Sequence, residues 1–214
     1  PLIFNHLFYT KISMQTLKND SPTSQHSGAK IWISAALFCL VSLVSFSLWA
    51  FDIPFLRGAN KLYPAIAVVF ILGGAPSMLP VFRANNGSVG QLKYLLLFWP
   101  AFIVFAGAWW FFWEQFHDHT GEILGSFLGL AGLILFFKLG FRTTRSFPLL
   151  LAIAFTWYTM NYYIAEYVHN ELKFATFPGA GPLSRLSWGL FFGIGMGAAL
   201  AFVTDSLRPK NAAE

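Results

Sequence analysis

The 214-residue sequence has few charged residues: Asp, Glu, Lys and Arg make up 11% of it, whereas a typical soluble domain has about 25%. Hydrophobic residues make up 56% and aromatic residues 19%. A soluble domain of this length cannot hide so much apolar surface from water. The composition therefore excludes the soluble globular class and predicts an integral membrane protein.

Cysteine is almost missing as well. The single cysteine, Cys39, lies in an apolar run, so there is no intrachain disulfide framework and no Cys-x-x-Cys-His haem attachment motif. The sequence also has no Gly-x-Ser-x-Gly elbow, and Cys39 has no basic neighbour that would activate it. These absences argue against nucleophilic catalysis.

Net positive charge is small. The formal charge of +5 is spread over segments that flank the apolar runs. This pattern is typical of membrane topology and contact with lipid headgroups. We expect the lipid bilayer as a partner, and no nucleic acid.

Six apolar segments are long enough to predict an all-α integral membrane protein, a bundle of six transmembrane helices. They occupy a domain of residues 31–205, between a polar tail of residues 1–30, in which Met14 is an attractive start, and a short tail of residues 206–214. Thr120 is the predicted N-cap of the fourth helix, and Glu122 lies in its first turn. The spans are Ile31–Phe51, Tyr63–Phe82, Tyr94–Trp113, Ile123–Phe137, Phe147–Ala165 and Leu186–Val203.

The basic residues predict the orientation. With the N-terminus inside, ten of them fall on the inner side and four on the outer side, which is the bias of cytoplasmic loops. Both termini are then cytoplasmic, and we expect a bacterial inner (cytoplasmic) membrane. The inner residues are Lys11, Lys18, Lys30, Arg83, Lys93, Lys138, Arg142, Arg145, Arg208 and Lys210, and the outer ones are Arg57, Lys61, Lys173 and Arg185.

Ionisable residues are missing from the centre of every predicted span, which argues against a proton relay at the membrane midplane. They collect instead at two span ends, in Glu114-Gln-Phe-His117 and Glu166-Tyr-Val-His169. Each motif begins 21 residues after a basic residue, Lys93 or Arg145, a helix length of about 31 Å. We therefore expect both pairs at one depth on the outer side.

The Glu-x-x-His spacing places two metal ligands on one face of a helix. Iron, zinc or manganese suits such ligands, and haem between His117 and His169 is a weaker alternative. The parallel direction of the two spans argues against a ferritin-like di-iron bundle. The other interpretation is that these side chains are only solvated polar groups that end two spans. The candidate ligands are Glu114, His117, His119, Glu122, Glu166, His169 and Glu171.

Three other patterns concern packing and ligands. The second span contains Gly73-Gly-Ala-Pro76 and Pro80, which predict a break of the kind that lines transporter sites, or a plain kink. The aromatic run Trp109–Trp113 predicts an interfacial belt, or a wall for a quinone, carotenoid or lipid headgroup. A small-residue stripe predicts close helix packing, within the chain or in a homo-oligomer; it comprises Gly189, Gly193, Gly197 and Ala201.

Two functions are compatible with these features of the sequence. The first is a module that binds or transports a small solute, ion or lipid from the outer side, alone or as the membrane subunit of a larger complex. The alternative is a metal-dependent membrane enzyme or redox protein that uses the two Glu-x-x-His pairs.

Overall fold

The structure is a computed structural model that describes residues 23–88, 90–141, 143 and 145–207. Within these residues the regular structure is helical, with a short 3-10 helix at Pro54–Leu56. The predicted start Met14 and most of the two predicted tails lie outside the described residues. The α-helices are α1 (Thr23–Ala50), α2 (Ala59–Ser77), α3 (Leu79–Asn86), α4 (Gln91–Phe116), α5 (His119–Phe141), α6 (Phe147–Lys173) and α7 (Ala180–Asp205).

Five helical stretches are long and apolar enough to cross a membrane, whereas the sequence predicts six spans. The predicted fifth span lies in α6, whose second half carries Trp157, Tyr158, Asn161, Tyr162 and Tyr163 and is therefore less apolar. The helical state of this segment, through His169, agrees with the prediction. The five stretches are Gly28–Ala50, Asn60–Asn86, Gln91–Phe116, His119–Phe141 and Ala180–Asp205.

Large apolar side chains cover the outside of these helices. Examples on separate helices are Leu40, Leu72, Ile103 and Leu139, all of which are exposed. Such a surface requires an apolar solvent, because a soluble protein does not leave so many large apolar groups in water. The helices are those of a membrane protein.

The predicted break in the second span is present at Met78. Helix α2 continues through Pro64 and Pro76, ends at Ser77, and is followed by α3 with Pro80 in its first turn. The start of α3 is held by α1, because the backbone N–H of Val81 donates to Ser34 Oγ at 3.2 Å. A side chain thus satisfies a donor that the interruption leaves without a helical partner.

The small residues of α7 pack against α1 within the chain. A Cβ atom added to Gly193 would lie 2.7 Å from Cα of Cys39, and one added to Gly197 would lie 2.7 Å from the carbonyl oxygen of Ala35. Gly189 faces Phe46 and Ser42 in the same way. Within the chain this stripe lies against α1, and a homo-oligomer through the same face stays a prediction.

Small residues also join α4 to α5. A Cβ atom at Gly125 would lie 2.8 Å from Cα of Trp109, and one at Gly129 would lie 2.8 Å from the carbonyl oxygen of Phe105. Gly125 lies against Trp109, and the later residue Gly129 lies against the earlier residue Phe105, so α4 and α5 are antiparallel. Since α5 also starts beside the end of α6, where His119 approaches Glu166, α4 and α6 are parallel, as predicted.

Two ends of the bundle follow from this alternation. The basic end holds Arg83, Lys93, Lys138 and Arg145. The Glu/His end is where α1, α4 and α6 end and where α5 and α7 begin.

Candidate functional site

A cavity of about 940 Å³ lies among α1, α2, α4, α6 and α7. It extends from Phe70 and Phe102, near the middle of the bundle, to Tyr63 and Glu114 at the Glu/His end. Twelve of its nineteen described lining residues are aromatic, and its volume falls within the usual range of small-molecule sites. The aromatic lining residues are Phe46, Trp49, Tyr63, Phe70, Phe102, Phe105, Trp109, Trp110, Tyr158, Tyr162, Trp188 and Phe192.

The cavity exists because α2 does not close onto the α6–α7 pair. Helix α2 packs on α1 and more lightly on α4, and it has no extensive contact with α6 or α7. One side chain bridges the gap near mid-bundle: the ring centroid of Phe70 lies 5.6 Å from that of Phe102 and 5.5 Å from that of Phe192. These rings form the floor of the cavity.

Few polar groups line this cavity. Glu114 is the one charged residue among the described lining residues, and its side chain is 41% exposed. Trp109 also lines the cavity, and its indole nitrogen is buried with no hydrogen-bond partner among the described residues. A buried donor without an acceptor costs about 1–3 kcal/mol. Trp109 therefore lines the cavity with its ring, while its unpaired indole nitrogen is buried.

A three-residue group lies beside the cavity. His119 Nδ1 is 2.9 Å from Glu122 Oε2 and 3.9 Å from Glu166 Oε2. One ligand atom from each of the three residues lies within 4.8 Å of the others. The hydroxyl of Tyr162 donates to Glu122 Oε1 at 2.9 Å. Because Tyr162 also lines the cavity, it connects the aromatic cavity to this His/Glu triad.

Local turn chemistry positions His119. The chain leaves α4 through His117, which has a left-handed backbone with φ 54°. Asp118 then caps α5, since its Oδ1 accepts the backbone N–H of Thr120 at 2.8 Å and of Gly121 at 3.1 Å. The predicted N-cap at Thr120 is wrong, because Asp118 takes that role and the helix begins earlier. Glu122 lies in the first turn, as predicted.

The donor set of the triad suits a transition metal. One imidazole and two carboxylates are the ligands of many zinc, iron and manganese sites, and three protein ligands leave a position open for water or substrate. The side chain of His119 is 66% exposed and that of Glu122 is 16% exposed. The triad therefore combines one exposed imidazole with two partly buried carboxylates, since the side chain of Glu166 is 28% exposed.

The other predicted ligands have different partners. Glu114 Oε2 is 3.9 Å from His117 Nε2, and the His117 ring lies against Trp113 with centroids 5.2 Å apart. This pair lies at the Glu/His end but outside the triad. Glu171 is exposed on the last turn of α6.

His169 belongs to a structural contact between helices. Its Nδ1 lies 2.8 Å from Ser184 Oγ and 2.9 Å from the Ser184 carbonyl oxygen, and its ring stacks on Trp49 at 5.6 Å. Because His117 has other partners, the structure gives no support to a haem held between these two imidazoles. Glu166 pairs with His119 of the neighbouring helix instead of with His169.

Sequence reasoning missed the cavity as a unit. Its lining comes from five helices that span Phe46 to Phe192, so no local motif describes it. The one available signal is the aromatic run on α4, for which a ligand wall is an alternative to an interfacial belt. The partner of Glu166 depends on how α5 and α6 are rotated against each other.

Comparison of the chain with protein-family models, with curated proteins and with solved structures gives no match.

Proposed function

We propose that this membrane protein binds a small amphipathic molecule in its aromatic cavity. The observation that carries the proposal is the space of about 940 Å³ lined by twelve aromatic side chains. Flat aromatic faces suit an apolar body, and the polar groups at the Glu/His end suit a polar head.

The proposed direction of entry is from outside the cytoplasm. The basic residues favour a cytoplasmic position for the opposite end of the bundle, and this proposed orientation would turn the Glu114-bearing part of the cavity outward. The floor of Phe70, Phe102 and Phe192 closes the inner side. This geometry favours capture from the outer leaflet or outer solution over an open channel.

A neutral fluorescent probe tests the proposal. Purified protein in a neutral maltoside detergent is titrated with N-phenyl-1-naphthylamine, and binding beyond that of protein-free micelles is followed by energy transfer from tryptophan. We expect saturable binding near one probe per chain.

The variant Ala67→Phe, which adds a ring inside the cavity, should lower the affinity at least about tenfold. Ala152→Phe is the matched control, because Ala152 is exposed on the outside of α6 and its substitution should leave binding unchanged. Non-saturable binding, or equal behaviour of both variants, would refute the proposal.

A second candidate function is metal binding by the His/Glu triad, as in a metal-dependent membrane enzyme or redox protein. The specific observation in its favour is the clustering of His119, Glu122 and Glu166 within 4.8 Å. Protein dialysed against Mn²⁺, Fe²⁺ or Zn²⁺ and then desalted should retain about one ion per chain by mass spectrometry of the metal. His119→Ala should remove the ion and His117→Ala should not.

The two candidates are separable. Chelation of the metal should leave binding of the neutral probe intact if the cavity acts alone. A metal content that does not change in His119→Ala would count against the triad.

A further inference from the structure

We infer that the cavity selects an organic cation: a molecule with an apolar body and a positively charged nitrogen or phosphorus centre. This inference rests on the proposed function and specifies its ligand class. The first observation is the charge of the lining. Among the nineteen described lining residues there is one carboxylate, Glu114, and there is no Lys, Arg or His.

The position of Glu114 suits a cationic head. Trp110 precedes it by four residues, so both lie on one face of α4, and both line the cavity. Tyr63 of α2 closes this side, with its ring 5.3 Å from that of Trp110. A cation in this space would contact aromatic faces and a carboxylate together.

Aromatic faces attract cations because the π face carries negative charge, and tryptophan attracts them most strongly. Four tryptophans line the cavity: Trp49, Trp109, Trp110 and Trp188. Trp49 already has such a contact, because the Arg185 guanidinium lies over its ring at 5.4 Å from the centroid and the His169 ring stacks on it. Attraction of a ligand cation therefore depends on Trp109, Trp110 and Trp188. Arg185 itself lines a neighbouring cavity of about 380 Å³ with Asp52 and Arg57.

An anion fits this lining poorly. It would face the Glu114 carboxylate, and no described lining residue carries a positive charge that would compensate it. Like charges repel, although the solvent that reaches the 41% exposed side chain of Glu114 reduces this repulsion. His117 Nε2 lies 3.9 Å from Glu114 Oε2, but His117 is not among the described lining residues of the cavity.

Two ions of nearly the same size and shape test the inference. Tetraphenylphosphonium and tetraphenylborate both carry four phenyl rings and differ in the sign of their charge. Each is titrated into the purified protein in neutral maltoside micelles by calorimetry, and the heat of binding to protein-free micelles is subtracted. We expect the cation to bind at least about tenfold more tightly than the anion.

Substitutions of Glu114 test whether its carboxylate causes the preference for the cation. Glu114→Gln should weaken binding of the cation about tenfold and reduce the preference between the ions by the same factor, while Glu114→Asp, which keeps the charge, should retain the preference. Glu171→Gln removes the same charge at the same end of the bundle outside the cavity lining, and should change neither affinity. Gel filtration and far-UV circular dichroism check that each variant keeps its fold.

The outcomes separate this inference from the proposed function. Equal affinity for both ions, together with saturable binding of the neutral probe, would overturn cation selectivity and leave the cavity proposal standing. A cation preference of unchanged size in Glu114→Gln would overturn the assignment to Glu114. Failure of both ions and of the neutral probe to bind would overturn both.

Discussion

The two ends of the bundle are built differently. At the basic end, aromatic rings fill the interior: Tyr94 is fully buried, its ring stacks on Phe137 at 5.4 Å, and its hydroxyl lies 2.8 Å from Thr204 Oγ1. Asn85 donates to Asp205 Oδ1 at 2.9 Å and so joins α3 to the end of α7. Side-chain contacts and hydrogen bonds close this end.

At the Glu/His end, the same kinds of side chain enclose a space. Tyr63 is 48% exposed and Trp110 is 41% exposed, although both line the cavity. The indole nitrogen of Trp109 has no described partner. The difference teaches that aromatic content alone does not indicate a packed core; contact with other helices decides whether a ring stabilises the bundle or lines a cavity.

The largest expected effect compares one tyrosine from each end. Tyr94→Ala should lower the free energy of unfolding by about 3–5 kcal/mol, because it removes a fully buried ring. Tyr63→Ala should cost less than about 1 kcal/mol, because half of that side chain is already exposed. Thermal unfolding in detergent measures both. Equal losses would contradict the distinction between the ends.

Two alanines of α4 sharpen the comparison within one helix. Ala106→Phe should fill the cavity, lower the affinity for the neutral probe at least about tenfold and leave stability nearly unchanged, since Ala106 faces open space. Ala101→Phe should cost about 1–3 kcal/mol of stability, because Ala101 is fully buried. Probe titration and thermal unfolding are measured on both proteins. The comparison fails if the two variants behave alike.

Tyr162→Phe separates the cavity from the His/Glu triad. The variant removes the hydrogen bond to Glu122 Oε1, and loss of such a supporting contact typically weakens metal binding about tenfold or more. The ring remains as part of the cavity wall, so affinity for the neutral probe should stay within about twofold. Calorimetry with Mn²⁺ and probe titration give the two values. An unchanged affinity for Mn²⁺ would show that Tyr162 does not support the triad.

The smallest expected effect concerns the unpaired indole nitrogen of Trp109. Trp109→Phe should not reduce stability by loss of a hydrogen bond, because its indole N–H has no described partner. Its loss also removes the cost of about 1–3 kcal/mol that a buried donor without an acceptor carries, which offsets the lost ring contacts. We therefore expect the free energy of unfolding of Trp109→Phe to stay within about 1 kcal/mol of that of the unsubstituted protein, measured by thermal unfolding in detergent. A clearly larger loss of stability would contradict an unpaired indole nitrogen.

Much of the fold can be predicted from the sequence because it depends on local properties. Apolar length indicates the helices, Pro80 marks the break after Ser77, and the spacing of Gly189, Gly193 and Gly197 indicates a close helix contact. Five of the six predicted spans have the length and apolar character that a membrane crossing requires. The exception is the fifth predicted span, which lies in α6. It differs because α6 buries Tyr158, Asn161 and Tyr162 inside the bundle, where polar atoms find partners.

The candidate site is less predictable because it depends on how helices rotate and separate. Glu166 and His169 share a helix face, yet one reaches His119 and the other reaches Ser184. The spacing along the sequence predicts that Glu166 and His169 lie at the Glu/His end of the bundle, but it does not predict which side chains they contact. The cavity needs side chains from five helices, and only their arrangement in space reveals it.

Photolabelling with a neutral amphiphile that carries a diazirine tests the binding claim most directly. The labelled peptides are identified by mass spectrometry, with and without an excess of N-phenyl-1-naphthylamine as competitor. We expect competitor-sensitive labels on the cavity-lining parts of α2 and α4, around Tyr63 and Trp110. Labels confined to the outward apolar surface, such as Leu40 and Leu139, and insensitive to the competitor would contradict a ligand-binding cavity at the Glu/His end.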